Sequence, residues 1–441
     1  MKNKFFMLSS SIAIVGVLVI ATVFLTSKKS HLKCAITPDP ALIQRGAYLA
    51  TVGDCAACHT SSENLPYAGG LAMPIPLLGN IYSSNITPDP QTGIGKWNLQ
   101  EFDRAVRYGV GKDGKRLYPA MPYVSYSKIS DDDMVALYTY FKYGVPAINH
   151  AIPKSTIPWP FSIRWPLQFW NVLFAPTKPY QNKPDKSPEW NRGAYLVQGL
   201  AHCGTCHTPR GLFMQEKTLD ESHQHYLSGA ILAGWQAYNI TSDPNAGIGS
   251  WTPAQLTQYL RQGNVPNLAQ AGGPMGEAVE HSFSKLSDAD IEAIVTYIQS
   301  LPADSTGQSH PRNAYGTPSQ ADLALRGTQF NDELNPARIY LGACASCHQV
   351  NGTGSPDHYY PSLLHNSTVG ATNPNNLIQI ILHGLHRKTS GVQQDVGMPA
   401  FANEMSDAQI AVLTNYLTQQ FGNPETKKVT DKDVRKLRNS N

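Results

Sequence analysis

The string Cys-x-x-Cys-His occurs three times in this chain: Cys55-Ala56-Ala57-Cys58-His59, Cys203-Gly204-Thr205-Cys206-His207 and Cys344-Ala345-Ser346-Cys347-His348. Each string is an attachment site for c-type haem. The two thiols bond covalently to the porphyrin edge, and the adjacent imidazole lies under the ring and ligates the iron. The expected cofactors are therefore three c-type haems, held by Cys55 and Cys58, Cys203 and Cys206, and Cys344 and Cys347, with His59, His207 and His348 as iron ligands.

Other uses of paired cysteines fit poorly. A structural zinc site needs four ligands, usually from two close Cys-x-x-Cys pairs. Here the pairs start 148 and 141 residues apart. A thioredoxin-like pair needs a βαβ context and gives no reason for the following His. Disulfides suit short chains poor in core, and this chain has 441 residues. At about 150 residues per domain that length suggests three domains, the same count as the motifs. Only 15% of residues are charged and the net charge is +3, too small to imply a nucleic-acid partner. Six of the seven cysteines belong to the motifs, and Cys34 is left over.

The N-terminus reads as a targeting segment over residues 1–30. Lys2 and Lys4 precede an apolar stretch from Phe5 to Thr26, and Lys28 and Lys29 follow. Its 22 residues are long enough to span a bilayer, although Ser9, Ser10 and Ser11 interrupt it. An uncleaved anchor is the preferred reading and a cleaved signal peptide the alternative. Either way the rest of the chain is exported, where c-type haem is attached. Lys33 before Cys34 is a poor fit to a lipoprotein site.

Internal repeats accompany the motifs. Arg45-Gly46-Ala47-Tyr48-Leu49 precedes the first and Arg192-Gly193-Ala194-Tyr195-Leu196 the second, with Arg338-Ile339-Tyr340-Leu341 a looser echo before the third. Each is expected to be the helix that delivers its motif. Downstream, Asn85-Ile86-Thr87 matches Asn239-Ile240-Thr241, and a Trp follows twelve residues after each Asn, Trp97 and Trp251, at the end of Gly-Ile-Gly-x-Trp. Each Trp packs on a haem edge or simply fills core. The third unit lacks this insert. Each unit closes with a helix capped by Ser130, Ser287 or Ser406, with Asp133, Asp290 or Gln409 three residues on giving a capping box or a near variant of one. Tyr140, Tyr297 and Tyr416 follow each Ser by ten residues.

The expected layout is domains at 38–148, 187–303 and 323–423, a connector at 149–186, a linker at 304–322 and a polar tail at 424–441. The connector carries seven prolines, most of them interleaved with Trp159, Phe161, Trp165, Phe169, Trp170 and Phe174. Prolines this dense exclude a regular helix for much of the segment, and aromatics this dense argue against disorder. The rings are expected to pack on the chain's own domains; the alternative is docking to a partner or a membrane. The tail, rich in Lys and Arg, is expected to be solvated.

Iron in an electron carrier usually takes a second protein ligand, and His/Met pairing raises its potential. Met121, Met275 and Met398 each sit in a Pro- or Gly-rich loop shortly before a closing helix. That repeated placement selects them over Met73, Met134, Met214 and Met405, and over His223, His225, His365, His383 and His386.

With these residues in place, the chain after its leader resembles the three-haem cytochrome c subunits of bacterial membrane-bound dehydrogenase complexes. The likeness is carried by the haem motifs, the Asn-Ile-Thr and Gly-Ile-Gly-x-Trp strings, Tyr118-Pro119-Ala120-Met121-Pro122 and the aromatic connector. The resemblance implies a mainly α fold of three tandem cytochrome c domains. It implies a large partner subunit with pyrroloquinoline quinone, flavin or a molybdenum cofactor that oxidises alcohols, aldehydes or gluconate. Electrons would pass to ubiquinone, on the periplasmic side of the cell membrane. A haem enzyme such as a peroxidase, or a freely diffusing carrier, is the competing reading.

Overall fold

The computed structural model of the chain describes residues 30–32, 37–75, 78–305, 307–326, 332–388 and 396–440. The targeting segment, but for residue 30, and Cys34 lie outside the described residues. The fold is built of helices, joined by two-stranded antiparallel hairpins. Among the described residues no helix is long and apolar enough to cross a membrane. The described residues form two compact units: those up to 50 with those in 58–181, and 51–57 with those from 182 onward. The second unit contains both the second and the third motif.

One helical plan recurs three times. An entry helix spans Pro40–Val52, Pro188–Gln198 and Pro336–Ala343. Each starts with a proline after a polar cap, because the first turn has no use for the missing N–H. Asp39 accepts from the Leu42 N–H at 2.9 Å, Ser187 from Trp190 at 3.1 Å and Asn335 from Arg338 at 3.2 Å. A short helix carrying the motif follows, at Cys55–His59, Cys203–His207 and Ala345–His348. A closing helix ends each repeat, at Asp131–Thr139, Asp288–Gln299 and Asp407–Phe421.

The Arg-Gly pair of the repeated string explains how entry and closing helices meet. A Cβ on Gly193 would overlap the carbonyl oxygen of Ala293, and one on Gly46 that of Ala136, so only glycine allows the backbones to touch. Beside each glycine, Arg45 binds Asp133 and Arg192 binds Asp290. Ser130 and Ser287 cap their helices as expected, but in these two repeats the carboxylate at the third position turns to the arginine. In the closing helix of the third repeat, Ser406 with Gln409 forms the full box. The third repeat closes differently, with Tyr340 packed on Tyr416 and Phe421.

Two expectations are corrected. The tail is not solvated: Asp431–Arg438 is a capped helix whose Val434 and Leu437 are buried in the core of the third repeat. Arg435 and Arg438 on its other face bind Asp407. A few apolar residues at helical spacing suffice to dock it, and the high charge concealed them. The connector also departs from the expected packing. It forms a helix at Leu167–Phe174, where Trp170 meets the Tyr123 ring edge-on and Asn171 accepts from the Tyr123 hydroxyl at 2.7 Å. Trp159 (79% exposed), Phe161, Trp165 (55%) and Leu173 (71%) instead face outward.

Candidate haem-binding sites

In all three motifs the imidazole is oriented by the main chain. Nδ1 of His59 donates to the Ser84 carbonyl at 2.7 Å, that of His207 to Tyr238 at 2.6 Å and that of His348 to Pro361 at 2.8 Å. Because Nδ1 carries the proton, the neutral ring presents Nε2 as a free lone pair, the state an iron ligand needs. Burial pushes all three imidazoles below their ordinary pKa, against the opposing pull of the carbonyls, and so favours the neutral form. Burial likewise pushes the Cys203 and Cys344 thiols up to about 12, so they are not reactive thiolates at neutral pH.

Ser84 and Tyr238 each immediately precede the Asn-Ile-Thr string, which gives that string a local task. The Asn239 side-chain Oδ1 accepts from both the backbone N–H and the hydroxyl of Thr241, at 2.8 and 2.7 Å, and Asn85 Oδ1 does the same with Thr87 at 2.9 and 2.7 Å. Further on, Ile248 N–H donates to Thr241 at 2.9 Å and Ile94 N–H to Thr87 at 2.8 Å. A Cβ on Gly247 or Gly93 would strike those same threonine carbonyls, so the glycine lets the loop fold tightly over the motif. The string follows two of the three histidine acceptors; the third, Pro361, has no such string beside it.

The second motif opens onto a cleft that is continuous with solvent. Cys203, Cys206, His207 and Met275 all line it, on walls built from Ile240, Ile248, Trp251, Leu256, Leu260 and Ile298. The cleft therefore joins Met275, at the start of the helix Gly273–His281, to its motif. Trp251 is buried on this wall, edge-on to Tyr259 at 5.4 Å. In the first repeat Met121 is half-buried in the turn after Tyr118, just before the short helix Tyr123–Tyr126. In the third, Met398 ends a strand paired with Leu385–Arg387 and packs against the core.

Five rival residues have defined surroundings. Met134 is fully buried core, Met405 packs on the third core and Met214 is exposed. His225 pairs with Asp304 at 2.8 Å and His365 meets the Asn313 carbonyl at 3.2 Å. Two cleft residues gave no signal in the sequence. His202, in a left-handed conformation, precedes Cys203, and Arg312 reaches in from the segment leading to the third repeat.

A large apolar cleft, two thiols, an oriented imidazole and a thioether on its walls are the donor set of a c-type haem site, and the residues fit that group. The cytochrome c family model matches residues 191–302 and 335–421. The chain is 44% identical to the cytochrome subunit of fructose dehydrogenase from Gluconobacter japonicus, over 87% of this chain and 80% of that one. It is 43% identical to the cytochrome c subunit of gluconate 2-dehydrogenase from Pantoea cypripedii, over 91% and 90%. It is 41% identical to the cytochrome c subunit of a quinone alcohol dehydrogenase from Gluconacetobacter polyoxogenes, over 92% and 86%. The chain belongs to the cytochrome c family, as one of the cytochrome subunits of dehydrogenase complexes. Its work is electron transfer through covalently bound haem c.

Proposed function

We propose that the chain carries three haems and relays electrons from a large dehydrogenase subunit to ubiquinone, at the periplasmic face of the cell membrane. In this reading the partner bears pyrroloquinoline quinone, flavin or a molybdenum cofactor and oxidises an alcohol, a sugar or a sugar acid. The observation that carries the reading is the same imidazole-to-carbonyl hydrogen bond at all three motifs. Relatives that are cytochrome subunits of fructose, gluconate and alcohol dehydrogenases support the partner.

When bound, haem iron supplies a reversible one-electron change. The chain's own residues do the rest. Cys55, Cys58, Cys203, Cys206, Cys344 and Cys347 form the thioether bonds. His59, His207 and His348 offer Nε2, and Met121, Met275 and Met398 offer sulfur. An imidazole and a thioether offered to each iron would leave no open position for peroxide or oxygen, which favours relay over peroxidase chemistry. The apolar wall around Trp251 would limit water at the second site and so favour a higher potential there.

The test is haem content and potential in the full chain from a host that matures c-type cytochromes. Three equivalents by pyridine haemochrome, with porphyrin adducts on all three motif peptides, are expected. Met121→His, Met275→His and Met398→His should each lower the potential of one haem. Fewer than three adducts, or unshifted potentials in all three variants, would overturn the reading.

A further inference from the structure

Arg312 belongs to the segment that joins the second repeat to the third, yet its side chain lines the second cleft together with His207 and Met275. It is only 8% exposed. One guanidinium nitrogen, Nη1, donates to the Ala246 carbonyl at 2.6 Å, tying it to the Gly-Ile-Gly loop. The guanidinium lies over the Tyr238 ring, 4.3 Å from its centre. Its Nε is buried without a hydrogen-bond partner, and among the described residues no carboxylate pairs with it. On the other side, Gly370 of the third repeat passes so close that a Cβ would strike the Arg312 carbonyl, which pins this segment against the third repeat.

A buried guanidinium without an anion is costly, and leaving it unpaired is worse than removing it. Haem carries two carboxylates, and an arginine fork is the side chain best matched to a carboxylate. We propose that Arg312 is the counter-cation of a haem carboxylate in the second cleft, so that the segment leading to the third repeat sets the potential of the second haem. This rests on the second cleft holding a haem, as proposed above. A cation beside the ring stabilises the reduced state, and its loss should make that haem harder to reduce.

The test uses the full chain with Arg312→Gln and Arg312→Lys. Adducts on the Cys203–Cys206 peptide are checked first; their absence from the unmodified protein defeats the haem assignment, not the role of Arg312. With the adduct present, Arg312→Gln should reduce the reduction equilibrium constant of one haem at least tenfold, about 59 mV for one electron. Arg312→Lys should recover at least half of that shift. An unchanged potential in Arg312→Gln, or equal shifts in both variants, would overturn the proposal, the latter indicating packing alone. If Arg312→Gln does not accumulate, resonance Raman of Arg312→Lys decides. A displaced haem carboxylate bending mode is expected, and an unmoved one rejects the idea.

Discussion

Arg192 grips Asp290 through two parallel hydrogen bonds, Nε to Oδ1 at 2.7 Å and Nη2 to Oδ2 at 2.8 Å. The pair joins the entry helix of the second repeat to the third residue of its closing helix, and Arg45 with Asp133 does so in the first. The arginine is 37% exposed, so water screens part of the attraction. Asp290→Ala should cost about 1–2 kcal/mol in denaturant melts. Arg192→Lys should lose much of the same, since an ammonium cannot form the fork.

Gly193→Ala should do more damage than its single methyl suggests. The added carbon meets the Ala293 carbonyl and the Tyr297 side chain at once, and neither can move without separating the helices. A loss of about 1–3 kcal/mol is expected from overpacking. Gly46→Ala should behave alike, because Ala136 and Tyr140 meet it the same way. Thermal melts of the haem-loaded chain check both.

The terminal helix should loosen in acid. Partial burial pulls the Asp407 carboxyl upward, but hydrogen bonds from Arg438 and Arg435 outweigh it and hold the pKa below the usual carboxylate value. Hydrogen bonds from Thr430 lower Asp433 at the cap. Both folded pKa values lie below the unfolded one, so this stabilisation is complete above about pH 4 and fades as pH falls through the folded values. Amide exchange in Asp431–Arg438 should be steady at neutral pH and accelerate in that acid range. Asp407→Asn should accelerate it at neutral pH already and flatten the response.

The outward rings of the connector should matter for association and not for folding. Phe161 and Leu173 are exposed. Replacing both with serine should change stability by less than about 0.5 kcal/mol each. If this face receives the dehydrogenase subunit, copurification should fall sharply. Intact copurification would assign the contact elsewhere.

The sequence by itself determined the motifs and the repeat. Covalent haem attachment demands fixed spacing, so Cys203, Cys206 and His207 announce themselves without a fold. The Ser caps and the Arg-Gly strings are equally local, because a cap bonds a backbone group three residues away. Only the tertiary structure decided where the oriented groups find their partners. The acceptors Ser84, Tyr238 and Pro361 lie 25, 31 and 13 residues from their histidines and are backbone carbonyls, which leave no trace in residue type. The charged tail that docks through Val434 and Leu437, and Arg312 in a cleft of the preceding repeat, are likewise products of packing. A buried place for a charged side chain depends on which distant surfaces close around it, and a linear pattern does not record that.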